Sequence, residues 1–220
     1  MDHISLRQHE FRIISACGSM SFYDIYLVGV GGQGVLTIGE ILSEAAFQSG
    51  WPVNFYPTKG MAQRGGFFKA QLRLGRETIG PNIPERSADL VIAMERSEAL
   101  KAIRFLKPGG VFLLWDSVWA PTAVMLGQAS YPSLEAVAEQ VTKAEGTLLT
   151  FHPEQLPPDQ GQPGSDNLFV LGVVLAATPL GSILPAQQVE KVIESRWKKG
   201  IERNLLAFRA GREATEYPRD

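Results

Sequence analysis

At 220 residues, 45% of them apolar, the chain is long enough to bury a sizeable core and is ordinary in composition for a globular protein. Its 21 basic and 23 acidic side chains nearly cancel, which removes any electrostatic case for general affinity to nucleic acid or to an anionic membrane. One cysteine, Cys17, excludes an internal disulfide and any cysteine-ligated metal or iron–sulfur site built by this chain alone, a usage that fits a reducing cytoplasm.

Residues 1–22 read as a flexible arm. The short apolar stretch FRIISAC within it follows mixed acidic, basic and histidine residues, a poor match to a signal peptide. Met20 stands as a candidate start, because regular structure is expected directly after it. Residues 23–213 read as a single α/β domain and 214–220 as a tail.

The run YDIYLVGV at 23–30 is apolar and leads into glycines, as a buried parallel strand requires. The next segment sets Val35, Ile38, Ile41, Leu42 and Ala45 at helical spacing, with Gly50 as its stop. PVNFYP at 52–57 reads as a second strand, TKGMAQRGG at 58–66 as a loop, and FFKAQLRL at 67–74 as a third strand. The nine-residue loop between these strands is too short for a crossover helix, so an antiparallel insertion is expected. GRETIG then carries turn chemistry.

ADLVIAM at 88–94 is a buried strand, SEALKAIRFL a helix, KPGG a turn and VFLLWD at 111–116 a further strand. SLEAVAEQVTKAEG is a helix leading to a last strand, TLLTFH, at 147–152. This rhythm predicts a Rossmann-like, doubly wound, mostly parallel α/β sheet. The Pro/Gly/Gln-rich stretch at 153–167 is expected to lack regular structure.

Only helices follow, so the C-terminal part is helical. The longest apolar run, LFVLGVVLAA at 168–177, is short of the ~18–20 residues that a membrane-crossing helix needs. Being apolar all round, it is expected in the core, with Asp166 and Asn167 as N-cap candidates. In the last helix Ile201, Leu205 and Phe208 share a face, leaving Arg203 and Arg209 available to solvent or subunit contacts.

Gly29, Gly31 and Gly34 satisfy G-x-G-x-x-G between a strand and a helix, where the helix N-terminus would offer amides to a phosphate. A dinucleotide site also calls for Asp or Glu at the end of the second strand, and here that strand ends Tyr56, Pro57, Thr58. Lys59 and Arg64 keep a 2′-phosphate, and so NADP, open as an alternative. The plainer reading is that the glycines permit a tight turn and close backbone packing.

Other chemistry is sparse. His3, His152 and Asp2 do not have metal-ligand spacing, His152 reads as a surface or capping residue, and Cys17 has no motif around it that would make it a nucleophile. No G-x-S-x-G, Walker lysine or catalytic carboxylate pair is present, so no catalytic residue is assigned. Arg64 stands out in GMAQRGG, on a loop beyond the carboxyl end of the second strand. It could clamp a carboxylate, a phosphate or a partner's acidic group, or be a solvated arginine on a mobile loop.

The Gly29–Gly34 turn followed by Arg64–Gly66 resembles the gamma subunit or domain of 2-oxoacid:ferredoxin oxidoreductases. The resemblance continues in order through ADLVIAMERSEAL (88–100), LKPGG (106–110), DNLFVLGVVLA (166–176) and IERNLLAFRAGRE (201–213), and so spans Tyr23 to Glu213. Pyruvate-type gamma subunits carry an acidic residue and proline before R-G-G, whereas GMAQRGG is similar to the beta subunits of the indolepyruvate branch.

That resemblance implies oxidative decarboxylation of an aryl pyruvate with coenzyme A to an acyl-CoA and carbon dioxide, with ferredoxin reduced. It places thiamine diphosphate, its Mg and the iron–sulfur clusters in a large partner subunit, leaving this chain without a cofactor of its own. It also makes Gly29, Gly31, Gly32, Gln33, Gly34, Gly60, Met61, Gln63, Arg64, Gly65, Gly66 and Asn167 the motif and subunit-facing candidates. A stand-alone NADP-dependent reductase and a non-enzymatic binding module on the same shell remain the alternatives.

Overall fold

A computed structural model of the chain describes residues 22–59, 67–77, 80–120, 122–128, 130–157 and 165–214. Six strands form one sheet: β1 (Tyr23–Val30), β2 (Val53–Lys59), β3 (Phe67–Leu74), β4 (Ala88–Ala93), β5 (Leu106–Trp115) and β6 (Thr147–Phe151). The helices are α1 (Val35–Gln48), α2 (Arg96–Ala102), α3 (Thr122–Met125), α4 (Leu134–Lys143), α5 (Asp166–Ala177), α6 (Leu180–Ile183), α7 (Ala186–Arg196) and α8 (Ile201–Glu213).

The sheet order is β2-β3-β1-β4-β5-β6. β1, β4, β5 and β6 are parallel, whereas β3 runs antiparallel to both β1 and β2. The expected antiparallel insertion is therefore β3, wedged between β2 and the central strand. All eight residues of β1 are buried, because successive side chains enter two different cores. Tyr23, Ile25 and Leu27 pack with α1, α5, α7 and α8, while Tyr26 and Val28 pack with residues of α2 and α4. Helices on both sheet faces make this the doubly wound α/β architecture expected.

In α5 every residue from Leu168 to Leu175 is buried, so the helix has no polar stripe. It lies against α8 at van der Waals limits: a Cβ on Gly172 would stand 2.0 Å from the Phe208 carbonyl oxygen, and one on Gly211 2.0 Å from that of Phe169. Leu205 and Phe208 are buried on the inner face of α8, as their spacing indicated. Arg209 is half-exposed, but it is tied to α7, its Nη2 donating to Glu190 Oε2 at 2.9 Å. That bond holds the Glu190 carboxyl below its ordinary value of 4.5. Glu190→Gln is expected to cost only about 0.5 kcal/mol at neutral pH, since exposed pairs are screened. A group whose pKa is lowered by folding stabilises above its unfolded pKa, so the cost should vanish as pH falls through the folded value. Thermal melts at neutral and acid pH would show it.

At the amino ends of the parallel strands lies a buried ionic network. Arg73 forks onto Asp24, Nε to Oδ1 at 2.9 Å and Nη2 to Oδ2 at 2.7 Å, with the two side chains 5% and 3% exposed. The remaining Arg73 nitrogen donates to the carbonyls of Gly80 and Asn82. The Asp24 amide donates to Asp89, which Lys107 also reaches.

Three local expectations change. KPGG is part of β5 rather than a turn before it: Leu106 already pairs with Ala88, and Val111 with Leu90, so the turn residues are an excursion inside one strand. The Gly109 amide is satisfied there by the Glu145 carbonyl. The stretch 153–167 has regular structure at both of its described ends, with a 3-10 turn at Pro153–Gln155 and α5 beginning at Asp166. The N-cap position of α5 is Ser165, so Asp166 and Asn167 lie inside the first helical turn and are free for other contacts. Among the described residues no helix is long and apolar enough to cross a membrane.

Candidate functional site

The carboxyl ends of β1, β4, β5 and β6 form one edge of the sheet, and the glycine turn sits where the chain crosses first to one side of β1 and later to the other. In open α/β sheets that switch point is where ligands and partners are met. The sequence positions the turn locally: the Gln33 amide donates back to the Val30 carbonyl at 3.1 Å, and Gly34, at φ 75°, is the N-cap of α1.

Gln33 decides what the turn is for. Its Oε1 accepts from the Val30 amide at 2.7 Å, and its Nε2 donates to the Met94 carbonyl and to Ser117 Oγ, both at 2.8 Å. Ser117 Oγ donates to the same Met94 carbonyl at 2.8 Å. One carboxamide thus fastens the turn to the ends of β4 and β5. The glycines make room for it. A Cβ on Gly29 would meet Gln33 Oε1 at 2.9 Å and Val35 Cγ2 at 2.7 Å, and one on Gly34 would meet Asn167 Nδ2 at 2.4 Å. Gly32, at φ +107°, instead borders open space.

This arrangement favours the structural reading of the motif over a dinucleotide site. The inner side of the turn is filled by a side chain. The second strand is also displaced: β3 lies between β1 and β2, so the end of β2 stands two strand spacings, about 9–10 Å, from β1 rather than one. A cation at the end of β2 is therefore farther from the turn than the ribose position of a dinucleotide fold requires. Of the other sequence candidates, Asn167 is brought against Gly34, while Gly60, Met61, Gln63, Arg64, Gly65 and Gly66 lie outside the described residues.

Beside the turn is a polar cluster that the sequence reading missed. Arg96 forks onto Asp116, both nitrogen–oxygen distances being 2.6 Å, and its third nitrogen reaches the Pro132 carbonyl. That bond, more than any other contribution, raises the Arg96 pKa and keeps it charged. His152 Nδ1 stands 3.4 Å from the second Asp116 oxygen, so the histidine sits at the rim of this cluster. Glu95 is fully buried, yet accepts from Ser97 Oγ at 2.6 Å, from the Glu98 amide at 2.8 Å and from the Tyr131 hydroxyl. Burial first, and then the bond to Glu95, push the Tyr131 phenol above its ordinary range, so it stays a neutral donor. Trp115 Nε1 donates to Asp166 at 3.2 Å, which gives Asp166 its actual contact.

The available signal was positional: Glu95, Arg96 and Asp116 directly follow the apolar strands β4 and β5, at ends where parallel sheets expose chemistry. Tyr131→Phe is expected to destabilise the chain by about 2 kcal/mol, because a buried carboxylate oxygen loses its donor. A denaturation midpoint equal to wild type would show that water replaces the phenol.

A groove of about 390 Å³ lies on the sheet face beside β3, where Lys69, Lys101 and Arg104 surround the stacked rings of Tyr26 and Phe105, 4.1 Å apart. Lys101 and Arg104 already have carboxylate partners in Glu98 and Glu85. Among the described residues no group of three or more His, Cys, Asp or Glu side chains could hold a metal.

Comparison with known proteins fits a chain built to be held by others. The sequence profile of the pyruvate ferredoxin/flavodoxin oxidoreductase family matches residues 24–214. The indolepyruvate oxidoreductase subunit IorB of Pyrococcus horikoshii is 36% identical over 199 residues, covering 90% of this chain and 98% of that one. The pyruvate oxidoreductase subunit PORC of Thermotoga maritima has a similar fold, with a TM-score of 0.66 at 22% identity over 88% of this chain and 97% of the other. In 2-oxoglutarate:ferredoxin oxidoreductase of Magnetococcus marinus the fold recurs with a TM-score of 0.67 at 17% identity over 92% of this chain, but only 32% of that longer chain. The chain belongs to the pyruvate ferredoxin/flavodoxin oxidoreductase family, as a subunit of the 2-oxoacid oxidoreductase type.

Proposed function

We propose that this chain is the small subunit of an indolepyruvate-type oxidoreductase of the cytoplasm and carries no cofactor of its own. The complex decarboxylates an aryl pyruvate oxidatively: the bond to the carboxylate carbon breaks, carbon dioxide leaves, the acyl group forms a thioester with coenzyme A, and the electron pair passes to ferredoxin. Thiamine diphosphate, with its Mg, and the iron–sulfur clusters supply the carbanion and electron-transfer chemistry from the large subunit. The observation that carries this reading is the near full-length match at 36% identity to a relative whose own name makes it a subunit.

The chain's own residues hold and shape. Gln33, Gly29, Gly34 and Asn167 set the turn and the start of α5 rigidly against each other. Gly31 and Gly32 then present a backbone surface to the large subunit near its thiamine site. Gln63 and Arg64 border the coenzyme A entry or the acidic group of the substrate, where a guanidinium fork suits a carboxylate or phosphate.

Anaerobic purification from the native cell is the direct test. A brown, thiamine-containing complex that reduces ferredoxin with indolepyruvate is the expected result. A colourless single chain that binds NADP tightly would overturn it. In the assembled enzyme Arg64→Ala is expected to raise the KM for coenzyme A, or lower kcat, by about tenfold to a hundredfold, as loss of a charge-assisted contact does. The subunit's melting temperature should not change. Steady-state constants equal to wild type would remove Arg64 from the site.

A further inference from the structure

Between β5 and α4 the chain makes an unusual surface. From Ser117 to Leu134 the sequence has no charged residue, although one residue in five is charged in the chain as a whole. Within this stretch Val118, Trp119, Met125 and Leu126 are 59%, 54%, 70% and 64% exposed. Of the other exposed large apolar side chains among the described residues, Phe67 and Leu100, 36% and 37% exposed, border the groove among Lys69, Lys101 and Arg104, while Phe22, Phe47 and Leu206 lie far apart in the sequence. Single apolar residues need no explanation, whereas an uncharged stretch that exposes four of them, Trp and Met included, has the composition of an interface centre.

The stretch is also held ready. Its start is fixed by the Arg96–Asp116 fork and by Ser117, which is bonded to Met94 and Gln33. Farther along, Tyr131 is bonded to buried Glu95. Both ends are thus anchored to the start of α2. A surface ordered before it binds loses little entropy on binding.

We propose that Val118, Trp119, Met125 and Leu126 are the apolar anchor by which this chain docks on the large thiamine-carrying subunit. The proposal rests on the function given above. Three observations favour that partner over others. Ser117 makes the anchor continuous with the glycine turn. The same fold occurs as about a third of one longer chain, and so exists joined to further domains of the same polypeptide. The absence of charge removes the attraction that nucleic acid or anionic lipid would need.

The test is the affinity of the two subunits, purified separately and mixed anaerobically, for wild type and for a Trp119→Ser, Met125→Ser double variant. Both side chains are exposed, so the isolated variant should melt with the wild type. Its dissociation constant for the large subunit should rise about a hundredfold, as the loss of two interface anchors predicts. Phe47→Ser, altering a residue 74% exposed at the far end of α1, should bind as wild type.

Unchanged affinity of the double variant in an otherwise intact complex overturns the anchor and leaves the functional reading standing. So does a wild-type dimer, or flotation of the wild type with neutral phosphatidylcholine vesicles, that the double variant abolishes while the complex holds. A wild-type chain that binds no large subunit removes the functional reading and the anchor together.

Discussion

Gly34→Ala is expected to destabilise the chain by about 3 kcal/mol, the sum of ~1–2 kcal/mol for a non-glycine residue at left-handed φ and ~1–3 kcal/mol for overpacking. Both causes are visible: Gly34 has φ +75°, and its new Cβ would stand 2.4, 2.7 and 2.8 Å from Asn167 Nδ2, Cγ and Cβ. The Cβ contact matters most. A side-chain tip can swing away, but Cβ moves only with the backbone of α5. For a chain of this length the loss is a fall of roughly 6–12 °C in melting temperature. Asn167→Gly should return the overpacking part and leave the backbone part, so a double-mutant cycle should give a coupling of about 1–2 kcal/mol. Additive effects would mean that α5 shifts freely and that the turn is not clamped.

Arg73→Met is expected to cost more, about 3–5 kcal/mol, because it strands a carboxylate that has almost no access to water. Asp24 loses both bonds of the fork, and its amide is already bonded to a second carboxylate, that of Asp89. The Gly80 and Asn82 carbonyls lose their donor as well. Asp24→Asn combined with Arg73→Met removes the stranded charge and should recover more than half of the loss. Denaturant titration of the variants decides it. A single-variant loss under about 1 kcal/mol would mean that water reaches Asp24 and that the pair behaves as a surface bridge.

These two residues mark opposite edges of the sheet, with different uses. The amino edge, around Arg73, is an ionic network with its groups satisfied inside the chain. The carboxyl edge, around Gly34, combines a turn held by Gln33, the Arg96–Asp116 pair beside it and an uncharged apolar loop.

How much of this was legible depended on the range of the information. The strands and helices from Tyr23 to Gln48 follow from apolar spacing and turn glycines, each a local property. The antiparallel insertion followed from loop length. KPGG misled because its turn chemistry is real, but the strand ladder resumes beyond it through pairing with β4. Asp166 misled for a related reason: an acidic residue ahead of an apolar helix suits an N-cap, while Trp115, far away in sequence, engages it one position inside the helix.

The sequence by itself determined the order of the strands and of the long helices, the two-sided burial of β1, the all-round burial of α5 and the family, because apolar periodicity and ordered motifs are written along the chain. Only the tertiary structure decided that the glycine turn is filled by Gln33, that β3 separates β1 from β2, and that Tyr131 closes on Glu95. Those contacts join residues dozens of positions apart, and a side chain's partner across such a distance is fixed by packing in three dimensions rather than by its neighbours in the chain.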